Sequence, residues 1–399
     1  MKNRIAKRMS ALSPSLTLAI SAKAKAMKAA GESVVSFSVG EPDFNTPDHI
    51  IAAAKTALDN GQTKYTPSSG LLPLRKAICE KFKKDNGLEF EPSQIIVSNG
   101  AKHSIFNACY AVLEEGDEVI IPAPYWLTYP EVVKVCGATP VYIDCKKENK
   151  FKFSAEDLKA AITPRTKMLV FNSPSNPTGA VYGEEEVRAI AKVCEEAEIF
   201  VLADEIYEKL CYNGVKAFSI AKCSEKMKDL TITVNGVSKT YAMTGWRIGY
   251  LAAPKDIAKA IDSFQSHATS NASSISQYAT IEALNSTEEE IGEMVSVFDK
   301  RREKLLKLIA DIDGVQSVEP DGAFYVMLVV GDLYGKKYNG KEIVDSIVFA
   351  DTLLDAEKVA TVPGISFGAP DCIRLSYALS EADIEEGLKR IKRFVEALE

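Results

Sequence analysis

Phe200-Val201-Leu202-Ala203-Asp204-Glu205-Ile206-Tyr207 and Leu230-Thr231-Ile232-Thr233-Val234-Asn235-Gly236-Val237-Ser238-Lys239 are the two stretches whose reading decides the fold. Each holds an apolar run too short for a helix, and each run stops at polar residues. That is the pattern of a strand buried on both faces. Upstream, Val187, Ile190, Ala191 and Cys194 recur at helical spacing, with Glu184, Glu185 and Glu186 in a first turn where the helix dipole favours negative charge. Strands alternating with helices predict an α/β fold, a mostly parallel sheet with helices on both faces.

Working outward, five more strands are predicted, at 95–97, 118–121, 140–143, 168–171 and 248–251, to join 200–203 and 230–234. Most read as fully buried. Beyond about residue 256 the pattern changes to long helical segments, including 300–307, then a β-rich run at 323–330. A helix around 341–355, short strands at 359–362 and 373–377 and a closing helix from Glu381 complete it. A second, smaller α+β domain is expected there, since single cores usually stop growing near ~250–300 residues. The amphipathic segment 16–30 has no sheet of its own and is expected to pack on that smaller domain. The division predicted is an arm at 1–44, a large domain at 45–290 and a small domain at 291–399.

The 399 residues are 46% hydrophobic and 26% charged, too rich in core-forming types for disorder. A formal net charge of −7, with basic residues dispersed rather than gathered in a stripe, argues against nucleic acid as a partner. Eight cysteines without a Cys-x-x-Cys pair, and only His49, His103 and His267 as histidines, argue against a metal site. The cysteines read as reduced core thiols. The basic stretch 1–8 followed by Leu12, Leu16, Leu18 and Ile20 imitates a secretory signal. Ser13, Pro14, Ser15 and Thr17 interrupt it, however, and Lys23, Lys25 and Lys28 stand where a cleavage site belongs. No run reaches the roughly 18 apolar residues of a membrane span. A cytoplasmic protein without a membrane partner is expected.

In a sheet of this kind ligands bind outside the carboxyl ends of the strands. Polar punctuation falls there: Ser98-Asn99-Gly100, Asn172-Ser173-Pro174, Asp204-Glu205 and Val237-Ser238-Lys239. Lysine is the side chain able to form a Schiff base with an aldehyde, although Lys239 taken alone also suits a solvated loop. Asp204 at a strand mouth calls for a facing cation, or else it caps a helix opened by Glu205 and Ile206. Gly100, Ala101 and Lys102 offer backbone N–H groups at a helix start, a natural anion cradle. Arg247 and Arg374 lie in or beside short β segments, where a buried guanidinium needs an anion, in a ligand or in a structural ion pair.

Taken together, Gly40-Glu41-Pro42-Asp43-Phe44, Tyr65, the turn from Asn172 to Gly179, Asp204-Glu205-Ile206-Tyr207, Ser238-Lys239, Arg247 and Arg374 stand in the order found in one family. The chain resembles the class I/II pyridoxal-phosphate aminotransferases of fold type I over nearly its whole length. Asp204 and Lys239, 35 positions apart, are followed by Arg247 and, near the end, Arg374. The resemblance implies that Lys239 carries pyridoxal 5′-phosphate covalently and that Asp204 pairs with its pyridine nitrogen. It further implies that Tyr207 and Asn176 bond the phenolic oxygen and that Trp126 stacks on the ring. Gly100, Ala101, Lys102, Ser238 and Arg247 would hold the phosphate, with Tyr65 reaching across from the second subunit of a homodimer. Arg374 would clamp the substrate α-carboxylate with Asn176 and the Gly40 backbone, and ping-pong transamination would follow.

Thr63-Lys64-Tyr65-Thr66-Pro67, Tyr125-Trp126 and the stretch from Val234 to Tyr250 look most like the prokaryotic aspartate aminotransferase subgroup. In that subgroup a lysine at the position of Lys102 is thought to meet the distal carboxylate of a dicarboxylic substrate. Aspartate with 2-oxoglutarate is therefore expected, with aromatic, prephenate or alanine transamination, or β-elimination, as alternatives. A cofactor-sensing regulator ranks last, because no basic winged-helix-like segment stands in the roughly forty residues before Gly40.

Overall fold

Residues 4–14 and 16–399 are described by the computed structural model. A first short strand, β1 (Val35–Ser36), precedes seven that build the main sheet: β2 (Ile95–Ser98), β3 (Glu118–Ala123), β4 (Thr139–Asp144), β5 (Thr166–Asn172), β6 (Phe200–Asp204), β7 (Thr231–Gly236) and β8 (Gly249–Ala252). Their order is β2-β8-β7-β6-β5-β3-β4. Six run parallel and β8 alone runs against both neighbours. All seven predicted strands are found. The least buried is β4, one of the two edge strands, in which Thr139, Tyr142 and Asp144 are exposed. Leu230, read as the start of β7, instead ends the helix Glu225–Leu230, whose cap is Ser224 accepting from the Met227 N–H at 2.9 Å.

Register places the chemistry. Asn172 pairs with Asp204, and Asp204 with Val234, so β5 and β6 end level and β7 runs on to Gly236 beside them. The loops carrying Asn176, Tyr207 and Lys239 therefore leave the sheet side by side. On the other side of β7, Gly249 opens β8 where the helix Ala101–Val112 begins, and a Cβ at Gly249 would collide with the Ala101 backbone nitrogen.

Four antiparallel strands form the second sheet, ordered β14-β15-β10-β9: β9 (Gln316–Ser317), β10 (Tyr325–Val329), β14 (Val362–Pro363) and β15 (Cys372–Ser376). A core including Phe298, Phe349, Leu388 and Phe394 packs the helices Glu288–Ala310, Ser346–Glu357 and Glu381–Glu396 with it. The helix Leu16–Ala29 joins this assembly as expected. Ala24 packs with Leu354 and Ala360, and Lys23 pairs with Asp351 and Asp355. β1 adds a parallel bridge to β13 (Val359–Ala360).

Two local expectations change. The helix placed at 341–355 starts at Ser346, capped by Asp345, and a hairpin of β11 (Lys337–Tyr338) and β12 (Lys341–Glu342) precedes it. Asn339 and Gly340 both have positive φ there, which is what a two-residue Asn-Gly hairpin turn requires. The single strand expected at 359–362 splits, since β13 pairs with β1 and β14 with β15.

Beneath the loop after β6, Glu208 is a carboxylate whose side chain is 7% exposed. It pairs with Lys81 and accepts from Asn86 Nδ2 and Asn235 Nδ2, each at 2.8 Å. Burial opposes its ionisation, yet the Lys81 ammonium beside it holds the carboxyl below its ordinary value. Removing one partner leaves an uncompensated buried charge. Lys81→Met should therefore destabilise the chain by roughly 3–5 kcal/mol, while Lys81→Met with Glu208→Leu should unfold at a higher temperature than the single variant. Thermal unfolding of the three proteins reads the order, and a double variant no better than the single would refute it.

Candidate active site

A cleft of about 270 Å³ opens where the carboxyl ends of β5 to β7 face β10 and β15. Asp204 forms its floor at 3% exposure. Tyr129 donates its hydroxyl to Asp204 Oδ2 at 2.8 Å and the Ile206 N–H reaches Oδ1 at 3.2 Å. The chain does not continue as a helix here, so Asp204 is not a helix cap. Nor does any cation form an ion pair with it among the described residues; a phenol occupies the place where the sequence called for a positive group. Burial pushes the Asp204 carboxyl up to about 6, against the lowering effect of these two donors.

Lys239 projects from the loop after β7 and donates to the Gly40 carbonyl at 2.6 Å. Burial lowers its ammonium pKa to about 8; Glu41 and Asp204 oppose the shift, and Arg374 and Arg247 add to it. Half the amine is then neutral near pH 8, whereas an ordinary lysine there is neutral at roughly the 1% level or below. A neutral amine is what attack on a carbonyl requires.

At one end of the cleft, the helix Ala101–Val112 presents its first N–H groups, which have no partner within the helix. Arg247 lies across them, donating to the Thr244 and Asn99 carbonyls at 2.8 and 3.4 Å. Gly100, at φ +87°, permits that approach, since a Cβ there would strike the guanidinium. Ser238 lines the same region.

Arg374, 3% exposed on β15, donates to Asn176 Oδ1 and the Ser38 carbonyl, each at 3.0 Å. Its guanidinium lies over Tyr325 at 4.5 Å and Phe367 at 5.0 Å. Its Nε has no hydrogen-bond partner, and no carboxylate pairs with it among the described residues. Such a buried cation is incomplete without an anion. Lys102 Nζ sits 4.9 Å over the Trp126 ring, and partial loss of hydration, ahead of repulsion from Arg247, lowers its pKa.

Of the residues singled out from sequence, Gly40, Ala101, Lys102, Trp126, Asn176, Asp204, Tyr207, Ser238, Lys239, Arg247 and Arg374 line this one cleft, with Gly100 behind the Arg247 guanidinium. Tyr65 does not; it stands 91% exposed. Sequence reading missed Tyr129 and Tyr325, whose hydroxyls meet Asp204 and Tyr207, the latter pair at 3.0 Å. Tyr129 did leave a signal, standing one helical turn from Trp126 with their rings edge to face at 5.4 Å. Glu41, Thr17 and Thr244 also line the cleft unforeseen.

The set suits an aromatic cation bearing a phosphate and an aldehyde. Asp204 is a buried acceptor with no cation of its own, Lys239 an amine poised for a carbonyl, and the Gly100 to Lys102 turn with Arg247 an anion cradle. The family description "Aminotransferase class I and II" matches residues 32–391. The chain belongs to the class I and II aminotransferases. The cofactor of this family is pyridoxal 5′-phosphate, and the residues present fit it. Among relatives in that family, an aspartate aminotransferase of Bacillus subtilis is 51% identical, over 98% of this chain and 99% of the relative. A probable aspartate/prephenate aminotransferase of Aquifex aeolicus is 46% identical over 100% of both. The crystal structure of the aspartate aminotransferase from Rhizobium meliloti superposes with a TM-score of 0.96 at 43% identity, covering 99% of this chain and 100% of that one.

Two outcomes follow for the cofactor-free aminotransferase. Reductive alkylation of Lys239, followed by peptide mass mapping, should rise with pH through about 8; a rate that climbs with the surface lysines would contradict it. The folded chain binds the Asp204 proton more tightly than the unfolded chain, whose carboxyl titrates at 3.8. Ionising it therefore costs stability as pH rises through about 6, on the order of 3 kcal/mol in full. Asp204→Asn should melt at a higher temperature than wild type at neutral pH, with the gain fading as the pH falls toward 3.8. A lower melting temperature would rule this out.

Proposed function

We propose that this chain transfers the amino group of aspartate to 2-oxoglutarate, giving oxaloacetate and glutamate in two half-reactions. One observation carries the reading: Arg374 is a buried guanidinium that no carboxylate pairs with among the described residues, in the same cleft as the Lys239 amine. A ligand bearing a carboxylate and a carbonyl or amine meets both needs. Bound in the cleft, pyridoxal 5′-phosphate supplies an electron sink for the pair released at the substrate Cα.

The protein's own residues do the remainder. Asp204 would hold a proton at the ring nitrogen, and the Lys239 amine would carry the Cα proton. Tyr207 and Asn176 would hydrogen-bond the phenolic oxygen, and Trp126 would flank the ring. Gly100, Ala101, Lys102, Ser238 and Arg247 would hold the phosphate. Arg374 would bind the α-carboxylate with Asn176 and the Gly40 backbone. Tyr65, exposed in this chain, would reach the phosphate of a second copy in a homodimer. The division into an arm at 1–44, a large domain at 45–290 and a small domain at 291–399 belongs to this reading, as does a cytoplasmic location. No helix among the described residues is long and apolar enough to cross a membrane.

Aspartate is favoured by Lys102, a second cation at the cleft that forms no ion pair among the described residues, and by the names of the relatives. The name of the Aquifex relative favours prephenate as a further acceptor. Lys102→Ala should lower kcat/KM for aspartate and glutamate roughly tenfold or more while leaving alanine and phenylalanine within about twofold. Equal losses across charged and uncharged donors would remove the Lys102 assignment. The purified protein should be yellow and change colour on adding aspartate without an acceptor. A colourless Lys239→Ala variant that binds the cofactor less tightly supports the reading, and unchanged colour chemistry in that variant would overturn it.

A further inference from the structure

The cleft is lined by four cationic side chains, Lys102, Lys239, Arg247 and Arg374, and by two acidic ones, Asp204 and Glu41. Asp204 lies on the floor, out of reach of solvent. Glu41 is exposed at the rim, where it accepts from Thr244 Oγ1 at 2.9 Å and forms no ion pair among the described residues. An unpaired carboxylate there repels every carboxylate that enters. In a cleft otherwise lined by cations, it marks the part suited to a cationic group, resident or arriving.

One cationic group does arrive. An amino acid enters at neutral pH with a protonated amine, and this amine must come to where the Lys239 amine now stands. The site is marked by the Gly40 carbonyl, 2.6 Å from Lys239 Nζ, and Glu41 is the next residue along the chain. We propose that Glu41, steadied by Thr244, receives the α-ammonium of the incoming amino acid and so separates amino-acid from oxo-acid substrates at a single carboxylate. The proposal rests on the aminotransferase reading above. The field of Glu41 is already felt at this position: after burial it is the largest influence on the Lys239 ammonium, ahead of Arg374, Arg247 and Asp204. A carbonyl and, on the next residue, a carboxylate lining the same cleft are the acceptors an ammonium requires, since it donates three hydrogen bonds and accepts none.

The test is equilibrium binding to the cofactor-loaded enzyme by calorimetry, with two ligands that do not turn over. α-Methylaspartate carries the ammonium and two carboxylates but no α-hydrogen; maleate carries two carboxylates and no ammonium. In Glu41→Gln, the affinity for α-methylaspartate should fall roughly tenfold, the worth of one charge-assisted hydrogen bond at an open rim. Maleate should bind equally well or more tightly, because a repelling charge is gone. Thr244→Ala should move both ligands in the same directions by less. Steady-state KM in Glu41→Gln should rise for aspartate and glutamate and hold for 2-oxoglutarate and oxaloacetate. Equal weakening of both ligands, or no change in either, would overturn the proposal by reducing Glu41 to a structural role. Wild-type enzyme that binds neither ligand would instead defeat the aminotransferase reading itself, so the two failures are distinguishable. Because Glu41 is exposed, the variant is expected to keep its melting temperature, which checks that the fold is intact.

Discussion

A carboxylate kept away from water at the end of β6 is the constraint on which the rest of this structure depends. Asp204 is held by one phenol, one backbone N–H and the register of three neighbouring strands, with no side-chain cation paired to it among the described residues. The Asn172 amide donates to the Asp204 carbonyl at 2.8 Å, while its own oxygen accepts from the Asn176 N–H at 2.9 Å. The peptide that carries the carboxylate is thus fixed to the turn that carries Asn176, the partner of Arg374. One set of short bonds therefore spaces the ring-binding and carboxylate-binding groups relative to each other. Rotating Asp204 would disturb all of them.

The segment after Asp204 divides its side chains between two environments. Asp204 and Tyr207 face the cleft, while Glu205 and Glu208 point into the body, where Glu208 meets Lys81, Asn86 and Asn235. Glu205 has no such partner at Oε2, and burial, ahead of repulsion from Glu208, pushes its carboxyl up to about 8. The chain therefore anchors a functional turn by neutralising one neighbouring carboxylate with a lysine and holding the other as an acid. Asn235 stands in β7 just before the loop of Lys239, so the same buried carboxylate ties the two strands that deliver the reacting pair. Buried ion pairs contribute little net stability against apolar alternatives; their use here is to fix one geometry.

Much of this was legible in the sequence, because buried parallel strands leave apolar runs and the polar residues ending them mark the ligand side. Asp204, Lys239 and the Gly100 to Lys102 turn stood out for that reason. The hairpin at 337–342 was readable too, in Asn339-Gly340, but it was absorbed into a helical pattern that begins only at Ser346. What sequence could not give were partners joined across the fold. Tyr129 is 75 positions from Asp204, and Tyr325 is 118 from Tyr207. A tyrosine's hydroxyl leaves no periodic trace, since its ring satisfies the same apolar pattern as phenylalanine. The cation that a carboxylate at a strand mouth calls for is not supplied by a side chain among the described residues; a phenol and a backbone N–H hold Asp204 and leave it open to a ring nitrogen.

The cleft also shows why a reactive site is costly to keep. Burial that lowers the Lys239 ammonium to about 8 is the same burial that raises Asp204 to about 6, so each is moved toward its neutral form by the same dry surroundings. A tight ion pair between the two would have quenched both shifts, and the chain avoids it by giving Lys239 the Gly40 carbonyl and Asp204 the Tyr129 hydroxyl as partners. Neutral partners satisfy the hydrogen bonds without fixing the charges. The lysine stays available as a nucleophile and the carboxylate available to a cation, a state that the surrounding apolar cores must stabilise. Separating two opposite charges that could have met is thus the step by which this fold turns a buried pair of side chains into a site for chemistry.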